Sequence, residues 1–265
     1  MMTDKKWNLN SWRVQSPDSW GFHEVITPKN SECSVDQIFR LNLKKGNAFT
    51  LKSHELELHG VLIAGKAKLS KHPVLDGTEM DKFDSFYIPG HNEVTITAQE
   101  DCIFYIPGAI CEGYGKPFFR KFNPDLPIGD MHQIHGSGSG QREVIFTLAP
   151  TDPASRLICG LTWSGDGTWT SWPPHQHEKY LEEVYCYFDM PKPKFGFHIS
   201  YLKSGDVDNM VVHKVYSGTM VQAPAGYHPT AASPGSRNIY LWVLAAFSHD
   251  VKRYDLAELD PAYSK

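Results

Sequence analysis

What most constrains this chain is its rhythm. Short runs rich in β-branched and aromatic residues alternate with Gly, Pro and Asp, and almost nowhere does a helical period take hold. "LELHGVLIAGKAKLS" (56–70), "SFYIPGHNEVTITAQ" (85–99), "REVIFTLA" (142–149), "EVYCYFDM" (183–190) and "NIYLWVLAAF" (238–247) are examples. Runs of this kind at this spacing predict an all-β chain of sandwiches or barrels. The 18 Pro and 21 Gly suit the many turns such a fold needs. One helical turn is expected, in the tail "DLAELDPAY" (255–263).

Two halves are expected. Near the midpoint, "QIHGSGSGQREV" (133–144) has the Gly/Ser composition of a flexible connector. It predicts a boundary between residues 1–138 and 139–265. A weak internal echo agrees: "HELELHGVLIAGKAKLS" then "DSFYIPGHNEVTI" parallels "EEVYCYFDM" then "GTMVQAPAGYHPTAA".

Several classes of function are disfavoured. A formal charge of −4 provides no basic stripe for phosphate backbones, so no nucleic acid partner is expected. There is no apolar run of membrane-spanning length, and the opening "MMTDKKWNLNSW" lacks the apolar core of a secretory leader. No membrane association and a cytoplasmic location follow as expectations. Five cysteines, none in C-x-x-C spacing, read as reduced structural thiols.

The chemistry is concentrated in "SWPPHQHEKYLEEVYCYF" (171–188). In an extended segment residues i and i+2 share a face, so His175 and His177 can present both imidazoles to one point. A glutamate of the following pair and His228, placed after the turn "GTMVQAPAGYHP" (218–229), would complete three nitrogens and one carboxylate. That donor set suits a mononuclear transition-metal site. Strand alternation leaves two options. If Glu183 faces the cavity, Tyr185 and Tyr187 share its face; if Glu182 does, Val184, Cys186 and Phe188 do. His54, His59 and His91 in the first half read as wall or surface residues.

The order H-x-H, Glu, then Gly218, Pro224, Gly226 and His228 resembles the two signature motifs of the cupin superfamily, with one residue fewer between the last Gly and His. More specifically, "TSWPPHQH" (170–177), "YLEEVYCYF" (180–188), "PAGYHPTAASPG" (224–235) and "IYLWVLAA" (239–246) resemble the 5-deoxy-glucuronate isomerase family of inositol catabolism. That family is grouped with 4-deoxy-L-threo-5-hexosulose-uronate isomerase of pectin breakdown. The loop between H-x-H and "YLEE" is shorter here than in the inositol-pathway members.

The resemblance implies a bicupin: two antiparallel β-sandwich (jelly-roll, double-stranded β-helix) domains, the first degenerate and metal-free. It carries the metal-ligand role to His175, His177, Glu183 and His228, with Glu182 as the alternative to Glu183. The implied cofactor is one divalent metal ion, zinc or manganese, with iron or nickel compatible with the same donors. The implied activity is aldose–ketose isomerisation of a deoxy sugar acid. Glu182, Tyr185 and Tyr187 are candidates for proton transfer, and Tyr227, Lys179, Arg142 and Lys214 for binding the sugar acid. The competing readings are a mononuclear iron dioxygenase and a non-enzymatic sugar-acid-binding cupin. Long β edges suggest a homo-oligomer.

Overall fold

Two large antiparallel sheets stand back to back, each covered on its other face by a smaller one. The computed structural model describes residues 6–263, so the first five residues of the segment read for a leader lie outside it. Helix among the described residues is confined to three short 3-10 turns. None is long and apolar enough to cross a membrane.

The first large sheet runs, edge to edge, Phe118–Arg120, Ser85–Ile88, Leu56–Ala64, Cys102–Ile110, Gln37–Leu43, Gly21–Ile26. The second runs Arg13–Gln15, Thr219–Ala223, Leu181–Tyr187, Ile239–Ala246, Leu157–Ser164, Arg142–Leu148, His132–His135. The small sheets are Ala48–Lys52, Glu93–Ala98, Ala67–Ser70, Glu79–Met80 and Trp169–Thr170, Thr230–Ala232, Gly196–Ser200, Val211–Val215. Apart from His132–His135, a seventh strand without a counterpart in the six-stranded first sheet, the two halves have the same strand order, which is the internal echo made structural.

Alternation along the strands explains the layering. In Leu56–Ala64, Leu58 and Leu62 face the first sandwich, with Phe86, Ile96 and Phe104. Val61 and Ile63 face the other way and pack on Leu157, Cys159, Val184, Cys186 and Leu241 of the second large sheet. In Leu181–Tyr187 the same alternation sends Tyr185 and Tyr187 inward, towards Tyr240 and Trp242. A side chain on a large sheet therefore lies either inside its own sandwich or in the seam between sandwiches.

Three expectations are corrected. The Gly/Ser segment is a hairpin loop, not a connector: His132–His135 pairs with Arg142–Leu148, and Gly136 and Gly138, at φ +71 and +55, turn the chain between them. The sheets accordingly do not divide the chain at 138, because His132–His135 belongs to the second large sheet and Arg13–Gln15 closes its opposite edge, on Thr219–Ala223. The tail is not helical over 255–263; Glu258–Leu259 is extended and pairs with His175–Gln176. Each strand edge needs a partner for its open N–H and C=O groups, and the tail supplies one to the histidine strand.

Candidate metal centre

Inside the second sandwich, His175, His177, Glu183 and His228 converge: one ligand atom from each lies within 4.8 Å of all the others. Three segments deliver them. Pro173 and Pro174 lead into the short extended piece His175–Gln176, held in place by its pairing with the tail. Glu183 sits on Leu181–Tyr187, between Ala223 and Leu244 of its two neighbours. His228 follows Gly226, whose φ of +67 and whose approach to the Tyr201 carbonyl exclude any side chain there. The Gly226 N–H donates to Glu178 (2.7 Å), fixing the turn from the other side.

The hydrogen bonding assigns the imidazole hydrogens. Nδ1 faces a main-chain carbonyl in all three rings: Pro173 for His175 (3.1 Å), Leu181 for His177 (3.2 Å) and Gly226 for His228 (3.2 Å). A carbonyl only accepts, so Nδ1 carries the hydrogen and the neutral ring turns a bare Nε2 lone pair inward. Nε2 of His177 and Nε2 of His228 each lie 3.0 Å from the same Glu183 oxygen. His228 Nε2 is buried without a hydrogen-bond partner.

The electrostatics sharpen the point. Burial, reinforced by His228, lowers His175 to about 3, so its ring is neutral at pH 7. Burial would raise the Glu183 carboxyl, but a proton carried by the adjacent His177 and His228 outweighs it and holds that carboxyl well below the ordinary range, a part that a cation at the same point would play. Imidazole lone pairs and an ionised carboxylate thus crowd one dry point. One extra proton bridges one nitrogen to the oxygen and leaves the other lone pairs facing a negative charge. A divalent cation satisfies all four donors, and three nitrogens with one oxygen are ligands that Zn, Mn, Fe or Ni accept. Carbonyl partners at Nδ1 are also the kind of outer contact that orients histidines where they bind a metal.

The cluster opens onto a cavity of about 220 Å³ lined by Arg142, Thr162, Ser171, Trp172, Tyr185, Tyr240 and Tyr254, among others. Of the sequence candidates, Arg142 and Tyr185 are there. The Arg142 guanidinium donates to the Trp172 carbonyl (2.8 Å), and the Tyr185 hydroxyl donates to Ser171 (3.2 Å). Burial, then Glu183, raises the Tyr185 phenol well above its ordinary value, so it stays protonated and donates.

The remaining candidates lie elsewhere. Glu182 points into the seam between sandwiches, where it accepts N–H groups of Ser34, Val35 and Asp36, so it is neither in the cluster nor in the cavity. Strand alternation is the reason: Glu182 and Glu183 cannot share a face. Tyr187 lies deeper, its hydroxyl on His198 Nδ1 (3.1 Å). Tyr227 stacks on Tyr201 outside the cavity, Lys179 lies over the Tyr180 ring on the surface, and Lys214 is exposed on Val211–Val215. In the first half, His59 is buried against Thr147 and His91 pairs with Glu55 at the surface.

Sequence reading missed His135, Ser171 and the tail residues Tyr254, Ala257 and Leu259, which all line the cavity. His135 was hidden by the linker-like composition around it. The tail residues carry no motif.

An antiparallel β-sandwich with a three-histidine, one-glutamate cluster that could hold a metal ion defines the class of protein. The chain belongs to the KduI/IolB family, whose profile matches residues 13–264. It is 31% identical over 246 residues to a 5-deoxy-glucuronate isomerase of Geobacillus kaustophilus, covering 87% of this chain and 86% of that one. Among solved structures, an IolB-like protein from Salmonella typhimurium superposes with a TM-score of 0.81 at 25% identity, over 96% of this chain and 98% of that one. A cupin 2 conserved barrel domain protein from Leptotrichia buccalis, 12% identical with a TM-score of 0.51 over 92% of this chain and 98% of its own, marks the fold as cupin-like.

Proposed function

We propose that the chain is a metal-dependent 5-deoxy-glucuronate isomerase of inositol catabolism, an aldose–ketose isomerase using one zinc or manganese ion held by His175, His177, Glu183 and His228. One observation carries the metal: the ligand atoms of three imidazoles and a carboxylate converge within 4.8 Å of one another inside the second sandwich, with no lysine or arginine among them. The names of the relatives carry the reaction and substrate. A first cupin barrel without this ligand set and a second barrel with it are part of the same reading, supported by the matching sheet orders.

When bound, such an ion supplies Lewis acidity to the substrate carbonyl and the neighbouring hydroxyl. The chain does the rest. Arg142, the cationic side chain of the cavity wall, receives the substrate carboxylate and sets which end of the sugar faces the cluster. Tyr185 and Ser171 offer hydroxyls to the polyol, while Trp172, Tyr240 and Trp242 exclude water. Isomerisation moves one proton from C2 to C1 and another from the C2 hydroxyl to the C1 oxygen. Tyr185 holds its own proton too tightly to serve as base. His135, kept neutral by burial and then by Arg142, is the cavity group suited to accept it.

The test is incubation of the metal-loaded protein with 5-deoxy-glucuronate in deuterated water, following ketose formation and deuterium at C1 by NMR. Ketose formation supports the reading. Stoichiometric binding without conversion, or oxygen consumption in place of isomerisation, contradicts it.

A further inference from the structure

The two halves grip each other with the same device used twice. Glu57, on Leu56–Ala64 of the first large sheet, reaches across the seam and accepts the N–H groups of Ser155 (2.6 Å), Arg156 (2.6 Å) and Leu157 (2.9 Å). Glu182, on the matching strand of the second sheet, reaches back and accepts those of Ser34 (2.7 Å), Val35 (2.8 Å) and Asp36 (3.2 Å), plus the Ser34 hydroxyl (2.7 Å). Both acceptors are buried, at 0% and 2% exposure. Both donor triplets lie where matching strands begin, Gln37–Leu43 and Leu157–Ser164. The edges repeat the exchange. Arg13–Gln15, which precedes the first sandwich, closes the second large sheet, and Phe118–Arg120, which precedes the second sandwich, closes the first.

We infer that the Glu182 clasp is a positioning device for the metal centre, through which the first half holds the Glu183 ligand in place; the inference rests on the reading of the four-residue cluster as a metal site. The strand Leu181–Tyr187 is laddered along its full length to Ile239–Ala246, but on its other side pairing with Thr219–Ala223 begins only at Glu183. Its leading end, Leu181 and Glu182, therefore has one neighbour in the sheet. The clasp supplies the missing constraint from the opposite sandwich. A second tie acts at the far end, where the Tyr105 hydroxyl of the first sheet donates to the Tyr187 carbonyl (3.0 Å).

Successive residues of a strand share one peptide plane and point to opposite faces, so pinning Glu182 outward fixes the roll and height at which Glu183 points inward. The matched clasp in the first half has no such consequence. The residue after Glu57 is Leu58, a core side chain. Glu57 and Glu182 are thus equal as interface contacts and unequal as neighbours of a ligand.

That inequality is the test. Full-length protein is stripped of metal and titrated with zinc(II) against a chromophoric chelator, well below its thermal midpoint, as wild type, Glu182→Gln and Glu57→Gln. Both variants are expected to lower the thermal midpoint. Only Glu182→Gln is expected to weaken zinc affinity, by about tenfold or more, the scale seen when outer contacts of a metal ligand are lost. Ser34→Ala removes one donor and leaves the carboxylate in place, and is expected to shift affinity the same way by a smaller factor; it carries the test if Glu182→Gln does not fold. Equal zinc affinity in the wild type and the Glu182 or Ser34 variant, or an equal loss in Glu57→Gln, overturns the inference. Wild-type protein that binds no zinc overturns the reading of the centre and the inference with it.

Discussion

Leu58 and Glu183 occupy matching places in the two halves, each following a clasp glutamate on the strand that faces its sandwich interior. Around Leu58 the first sandwich offers apolar walls instead of ligands, and Phe22, stacked 5.2 Å from Phe39 and 5.2 Å from Phe49, lines with Leu58 a cavity of about 560 Å³. Around Glu183 the second sandwich places three imidazoles. Sheet order and clasp are common to both, so neither depends on the polar cluster. The difference teaches that the fold is maintained by the alternating apolar layers and the seam, while the site consists of a few substitutions on that frame and the loops that bring histidines to it.

The largest effect expected from this comparison is on the second half. His177→Ala or His228→Ala should remove bound metal and lower kcat/KM by about a thousandfold or more, the several kcal/mol of a lost Lewis acid, while the β-sheet circular dichroism is unchanged. The mirror experiment is Leu58→Ala. It should cost about 2–5 kcal/mol of stability by opening a cavity, read by denaturant unfolding, with metal content unaltered. If Leu58→Ala emptied the metal site, the separation drawn between frame and site would be broken.

A smaller effect belongs to Arg142. Arg142→Gln should raise KM for the uronate by about 10- to 100-fold, the loss of one charge-assisted contact, without lowering metal content. An unchanged KM would remove Arg142 from substrate binding.

The smallest expected effect lies in the seam. The Asp36 carboxyl is pushed well above its ordinary value by burial first, then by Glu182 and Glu183, and neither oxygen has a hydrogen-bond partner. The unfolded chain releases that proton at about pH 3.9, whereas the folded protein retains it to higher pH. The stability associated with this proton is full below the unfolded value and is lost as pH rises through the folded one. Asp36→Asn removes that loss. Its thermal midpoint relative to wild type should therefore climb between about pH 4 and pH 8; a constant difference would show that Asp36 does not titrate in the seam.

Much of this arrangement was legible in the sequence because it obeys periods. Alternation in "LEEVYCYF" tied Glu183 to Tyr185 and Tyr187, and that face is the inward one. The H-x-H spacing placed two rings on one side, and the P-A-G-Y-H turn delivered the third. What was not legible depends on contacts between distant segments. The 133–144 stretch has the composition of a linker, and only its pairing with Arg142–Leu148 makes it a hairpin that brings His135 to the cavity. The edge strand Arg13–Gln15 and the tail strand Glu258–Leu259 are short and lack a pattern; their partners define them. The pairing of clasp glutamates was equally silent, because three main-chain N–H donors leave no mark on residue identity.

The most direct measurement is metal stoichiometry coupled to turnover. Purified protein is analysed by inductively coupled plasma mass spectrometry, stripped with chelator, assayed for isomerisation, and assayed again after zinc or manganese is restored. The account expects one divalent ion per chain, activity lost on stripping and regained on addition, and neither metal nor activity in His177→Ala. Full turnover by thoroughly stripped protein would contradict it.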